Sequence, residues 1–322
     1  MKNRSPLVAM VALAATMQAC APAEQADDSA DSADEVSASV PGVVEVVARG
    51  LEFEMPDTVA PGWTTFRFVN ESPMVHFAIV ERLPDGVGLE EQQAQVAPPF
   101  QTGMDRIMEG DMDAAMAAFG ELPPWFGELH FVGGPGLTSP GVTSQATINL
   151  EPGTYLLECY VKTNEVFHSF NPDPAMVGMV VEFTVAGEPT EVAEPEADHE
   201  LVISSESGYV LTGTPMAGAN TFRVSFADQA TYANFVGHDV HVVRLDSGTS
   251  IDDLSAWMNW STPGGLNTPA PAVFVGGLND MGAEDVGYFT VTLDPGTYAL
   301  VSEIPDPGAQ GMLVTFEVPE AM

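Results

Sequence analysis

Basic residues are what this chain has least of: nine Lys and Arg stand against 46 Asp and Glu, a formal net charge of -37 in 322 residues. Each contact to a phosphate needs a base. Nucleic acid and anionic membrane surfaces are therefore poor partners, and a cationic protein, such as a basic cytochrome, is what the field would steer in. The same acid also serves as a solvating surface in salty surroundings. Cysteine is almost missing, with Cys20 and Cys159 alone. The apolar run at residues 6–16 is about a dozen residues, too short for a membrane-spanning helix. No nucleophile elbow, no placed carboxylate pair and no Gly-rich phosphate loop ahead of a helix is present. On these absences the chain reads as no enzyme.

What is present begins with Met1, Lys2 and Arg4, then the apolar run, then Met17-Gln18-Ala19-Cys20. A charged start, a short apolar core and small residues before a cysteine make a secretory signal. Ending at cysteine, it resembles a bacterial lipoprotein signal. The resemblance implies a signal over 1–20 and a lipidated Cys20 that anchors the chain to a membrane. Ala21 in place of Asp implies the outer membrane, on its periplasmic or outer face. An ordinary signal peptide beside an incidental cysteine is the alternative. Residues 21–42 are mostly Asp, Ser and Ala and cannot bury enough surface to offset their ordering entropy, which predicts a disordered tether.

With Cys20 lipidated, Cys159 is the one thiol left in an exported chain. Such a compartment normally pairs or eliminates thiols, so Cys159 is either buried and inert or held by a metal. Its surroundings favour the metal. Residues 151–185 run from a Pro-Gly turn into an apolar strand ending at Cys159, loop through His168, and return through Met176 and Met179 into a second strand. Thiolate, imidazole and thioether from one loop are ligand types of a blue-copper site. A further imidazole is available in His76, at the start of an alternating strand in VNESPMVHFAIVERL; the plainer reading of His76 is a satisfied histidine at a sheet edge. The two segments resemble the cupredoxin family, in which an Asn-containing strand end supplies the first histidine and a Cys…His…Met loop the rest. The resemblance implies copper held by His76, Cys159, His168 and an axial Met179, with Met176 as the alternative axial ligand, and electron transport as the function. Eight residues separate Cys159 from His168 and ten separate His168 from Met179, more than the family's loops use. A metal-free scaffold or binding lipoprotein of the envelope remains the alternative.

The chain also repeats itself. FVGG at 131–134 recurs at 274–277, EPGTY at 151–155 recurs as DPGTY at 294–298, and both pairs are 143 residues apart. Residues 76–83 match 238–245, and MVVEFTV from Met179 matches MLVTFEV from Met312. Matched blocks in matched order predict two domains of one fold: an all-β arrangement of tandem Greek-key β-sandwiches, the first over 43–187, a linker over 188–199 and the second over 200–322. Cys159 then matches Ser302, and His168 has no counterpart, so the second domain is expected to lack the metal site. His130, His199 and His241 read as non-ligands, His199 lying in the linker. A multicopper oxidase would need His-x-His pairs, and the nearest pattern is the HxxH of His238 and His241. In each domain a helical insertion interrupts the strands. Across residues 89–119, Met104, Met108, Met112 and Met116 recur at a spacing of four and are expected along one helical stripe, read first as adaptable core and otherwise as a Cu(I) surface. The shorter insertion is residues 251–259, with Trp257 and Trp260 as packing residues.

Overall fold

The structure, a computed structural model, describes residues 40–320 apart from 174, 233, 234 and 247. The predicted signal with Cys20, and the tether up to residue 39, lie outside the described residues. Within them the architecture is all-β with short helices.

Strand faces follow the alternation in sequence. In Gly62–Asn70 the buried residues are Thr64, Phe66, Phe68 and Asn70, with half-exposed residues between them. The same rule governs Gly218–Phe226, where Asn220, Phe222, Val224 and Phe226 face inward. In the first half, Ile79–Arg82 and Val180–Val185 flank Gly153–Glu158, and Ile79 and Val180 both lie opposite Glu158. In the second half, Val240–Leu245 and Leu313–Val318 flank Gly296–Val301, and His241 and Leu313 both lie opposite Val301. Stepping back three residues from Ile79 and His241 reaches His76 and His238. Stepping forward one from Glu158 and Val301 reaches Cys159 and Ser302. The pairings therefore set each of these couples at the same point of its half.

The repeated motifs have physical reasons. The second glycine of each FVGG has positive φ, +108° at Gly134 and +139° at Gly277. A Cβ at either would stand 2.2 Å from the Ala78 carbonyl oxygen or 2.1 Å from that of Val240, so only glycine fits. In EPGTY and DPGTY the tyrosine hydroxyl donates back to the turn, Tyr155 to the Glu151 carbonyl at 2.7 Å and Tyr298 to the Asp294 carbonyl at 3.1 Å.

The halves share more than a connection. Thr143–Leu150 pairs with Val286–Leu293 through Thr147–Tyr288, Ala146–Phe289 and Gln145–Thr290, which joins strands from both halves into one eight-stranded sheet. The acidic connection is pinned along this sheet: Thr190 N–H donates to the Pro61 carbonyl at 2.7 Å, and Glu194 accepts from the Tyr288 hydroxyl at 2.5 Å.

Two expectations are corrected. His199 is not in a linker: it opens the strand His199–Ser204, whose alternation turns it inward, and its Nε2 lies 2.9 Å from Asn220 Oδ1. The methionine stripe is also broken. The insertion is three helices, Leu89–Gln95, Ala97–Met108 and Met112–Phe119. Pro98 and Pro99 sit in the first turn of the second, where proline is tolerated. Gly110 at φ +79° ends it, and Asp111 caps the third by accepting from Ala114 N–H at 3.0 Å. Met104 is fully buried, whereas Met112 and Met116 are each 56% exposed on the next helix. In the second half the helix is Ile251–Met258, and Trp257 and Trp260 are both buried.

Candidate metal centre

Asn70, the last residue of Gly62–Asn70, builds the first part of the site. Its fully buried side chain donates to the Met74 carbonyl at 2.8 Å and the Thr138 carbonyl at 2.7 Å, and accepts from Ser72 N–H at 3.0 Å. This closes residues 70–74 into a tight turn and sets His76, whose own N–H also reaches Thr138 O, at 3.2 Å.

The long stretch from Cys159 to His168 folds as a hairpin. Lys162–Thr163 pairs with Val166–Phe167, and Asn164 and Glu165 at φ +50° and +70° form the two-residue turn between them, the left-handed pair such turns require. His168 N–H then donates to the Val161 carbonyl at 2.8 Å. The hairpin thus cancels the length that sets this loop apart from the cupredoxin pattern. Both halves hold it. Gln101 of the helical insertion accepts from Phe167 N–H at 2.9 Å. From the second half, Leu266 O accepts from Lys162 N–H and Thr268 N–H donates to Lys162 O, both at 2.8 Å.

His76 Nδ1, Cys159 Sγ and His168 Nδ1 converge. Their separations are 3.5 Å from His76 to Cys159, 3.7 Å from His168 to Cys159 and 3.2 Å between the imidazoles. The point equidistant from three atoms so spaced lies about 2.0 Å from each, the length of a metal–imidazole bond and slightly under a metal–thiolate one. All three side chains are buried. Each Nε2 is taken by a hydroxyl, His76 by Ser72 Oγ and His168 by Thr163 Oγ1, both at 2.9 Å. A neutral imidazole that donates from Nε2 presents a lone pair on Nδ1.

Burial is the main cause of the unusual acidities here. It lowers His76 to about 4. Burial and then the facing His76 lower His168 to about 3. Both rings are therefore neutral at ordinary pH. The Cys159 thiol is pushed up to about 12 by burial, so only a bound cation makes it a thiolate near neutrality. Met179 is fully buried and joins the two ligand positions through its backbone, donating to His168 O at 2.6 Å and accepting from Cys159 N–H at 3.1 Å. Met176 is 57% exposed, which corrects its reading as an axial alternative. The donor set, two imidazoles and one thiol, suits copper.

In the second half the matching position holds no thiol. Ser302 donates its hydroxyl to Asp239, and His238 Nε2 meets the Tyr232 hydroxyl at 2.9 Å. A second cluster, Asp239, His241 and Glu303, is buried nearby. There His241 Nδ1 accepts from Leu137 N–H at 3.0 Å, its Nε2 lies beside the Asp239 carboxylate, and neither that Nε2, Asp239 Oδ2 nor Glu303 Oε2 makes a hydrogen bond among the described residues. His130 pairs with Asp285 Oδ2 at 3.0 Å and is half exposed.

Ser72, Thr163, Asn70 and Gln101 carry no signal of their own in the sequence. Asn70 alone belongs to the pattern that pointed to His76.

No family model matches the chain, and no curated protein matches it in sequence. Among solved structures it is similar to auracyanin from the photosynthetic bacterium Roseiflexus castenholzii, at 19% identity over 46% of this chain and 100% of that one with a TM-score of 0.26. It is also similar to a multicopper oxidase, at 13% identity over 86% of this chain and 87% of that one with a TM-score of 0.20. A third is the copper-containing nitrite reductase of Thermus scotoductus SA-01, at 14% identity over 86% of this chain and 61% of that one with a TM-score of 0.21. The reading of the chain as no enzyme is corrected by the same comparison. Two of these structures are named as enzymes, and a missing nucleophile elbow or His-x-His pair does not decide whether this chain is one. Among the described residues no helix is long and apolar enough to cross a membrane.

Proposed function

We propose that this chain is an envelope-anchored protein of two tandem cupredoxin-like domains that carries electrons on one copper in the first domain, held by His76, Cys159 and His168 with Met179 as the weak axial ligand. The convergence of the three donor atoms carries the reading. Bound there, copper supplies a one-electron couple. His76 and His168 are held neutral and aimed by Ser72 and Thr163, so the same donors serve both oxidation states with little rearrangement. Burial of all three side chains excludes water from the metal. The recurrence of strand pairings supports the tandem reading, and the grip of Leu266 and Thr268 on the ligand hairpin makes the second domain a clamp for the first domain's site.

Cys20 supplies the lipid anchor in this account, at the outer membrane, and the charge of -37 steers a cationic redox partner such as a cytochrome to the protein. Metal analysis of the full chain isolated from copper-grown cells tests the assignment. One copper per chain, lost in Cys159→Ser, is the expected result. Copper-free protein that also fails to take up the metal in vitro leaves the metal-free scaffold as the better account.

A further inference from the structure

A cleft lined in part by Glu158, Phe167 and Ser169, the chain neighbours of Cys159 and His168, lies between the helical insertion and the two halves, with an empty volume of about 740 Å³, part of it open to solvent. Its walls are aromatic. Phe100 stands 5.5 Å from Phe126, 5.6 Å from Phe235 and 6.1 Å from Trp260, centroid to centroid. Three carboxyl groups line the same cleft, those of Glu81, Glu158 and Asp280. Glu81 and Glu158 lie on adjacent strands, where Ile79 faces Glu158 and Glu81 is two residues on, so both project from one face of the sheet.

Glu81 is 5% exposed, and its carboxylate faces those of Glu158 and Asp280 with no hydrogen bond acting on it among the described residues. Glu158 is bonded through one oxygen only, accepting from Gln92 Nε2 at 2.6 Å. Among the described residues no Lys, Arg or His lines the cleft. Burial raises the carboxyls, Glu81 well above the usual range with repulsion from Glu158 and Asp280 added, and Asp280 to about 8 with repulsion from Asp239 added, as expected of an acidic group lacking its cation. Carboxylates are rarely buried unless paired, and aromatic faces add attraction for a cation held over them.

We propose that this cleft is a binding site for an organic ammonium ion with an apolar body, its charge set among Glu81, Glu158 and Asp280 and its body against Phe100, Phe126, Phe235 and Trp260. The aromatic walls distinguish this ligand from a bare metal ion, which would want oxygen donors on every side.

Benzyltrimethylammonium added to the full chain is the test, with benzyl alcohol as the neutral probe and calcium as the inorganic one. Trp125 and Trp260 line the cleft, so tryptophan fluorescence reports occupancy, and calorimetry gives the stoichiometry. The expected result is saturable binding of one ammonium ion per chain, at least about tenfold tighter than benzyl alcohol, weakened at least about tenfold by Glu81→Gln, and not displaced by calcium. Phe126→Leu, which leaves the sheet untouched, is the second variant and weakens binding whether or not Glu81→Gln folds. Absence of saturation, equal binding of benzyl alcohol, displacement by calcium, or unchanged affinity in both folded variants overturns the proposal. Because copper is absent from this measurement, its failure is separable from that of the electron-transfer reading.

Discussion

His76 and His168 present their Nδ1 atoms to one another across 3.2 Å, while their Nε2 atoms are occupied by Ser72 and Thr163. With both Nε2 atoms donating to hydroxyls, the two Nδ1 lone pairs and the Cys159 sulfur face one point, the arrangement that the ligands of a metal take.

Thr163 positions His168 and is itself tied to Thr268, with the two hydroxyl oxygens 2.8 Å apart. Replacing Thr163 by Val keeps its shape and removes the hydroxyl. Copper affinity is expected to fall about 10- to 100-fold, the usual effect of losing a partner that orients a metal-bound histidine, with the circular dichroism spectrum unchanged. Competition against a chelator measures it, and an affinity within about twofold of the parent's contradicts the role.

Lys162 gives a pH signature. Its ammonium group is fully buried, donating to the Trp260 carbonyl at 2.6 Å and the Thr262 carbonyl at 3.1 Å. Burial lowers it from 10.5 to about 7. Between those values the unfolded chain binds a proton that the folded chain does not, so this residue's contribution to stability rises with pH from about 7 toward 10.5. Lys162→Met removes that slope. The parent's urea midpoint is expected to rise relative to the variant's between pH 7 and pH 9.5, and parallel pH profiles contradict the assignment.

The FVGG glycines are fixed by the carbonyls they meet. Gly134→Ala and Gly277→Ala are each expected to cost about 3 kcal/mol or more, combining backbone strain with overpacking. Gly50, at φ +61° with nothing within 4 Å of a built Cβ, is the control, and Gly50→Ala is expected to cost about 1–2 kcal/mol. Denaturant unfolding ranks the three. Gly134→Ala at or below the cost of Gly50→Ala contradicts the steric account.

Much of this was legible in the sequence because strand pairing is periodic and the two halves repeat it. The common offset at FVGG and DPGTY sets Cys159 against Ser302, and the match of residues 76–83 to 238–245 sets His76 against His238, from sequence alone. Cys159, His76 and His168 were legible because a thiol, an imidazole and a thioether on one loop are the ligand types of a copper site. What stayed hidden depends on contacts remote in sequence. The hairpin that returns His168 to Cys159 is held by Gln101 and Thr268, on elements with no local mark of that task. Four methionines at a spacing of four imply one helix only if nothing stops it, and Gly110 with the Asp111 cap does. His199 was lost because an acidic, Pro-containing run hides where a strand begins. The three carboxylates of the cleft come from strands and loops up to 199 residues apart, from Glu81 to Asp280.

Visible absorption on adding Cu(II) to the purified mature chain tests the central claim most directly. If His76, Cys159 and His168 hold the metal, an intense thiolate-to-copper charge-transfer band grows to a one-to-one end point and is abolished in Cys159→Ser. A folded chain that stays colourless, or a band that survives Cys159→Ser, contradicts the account.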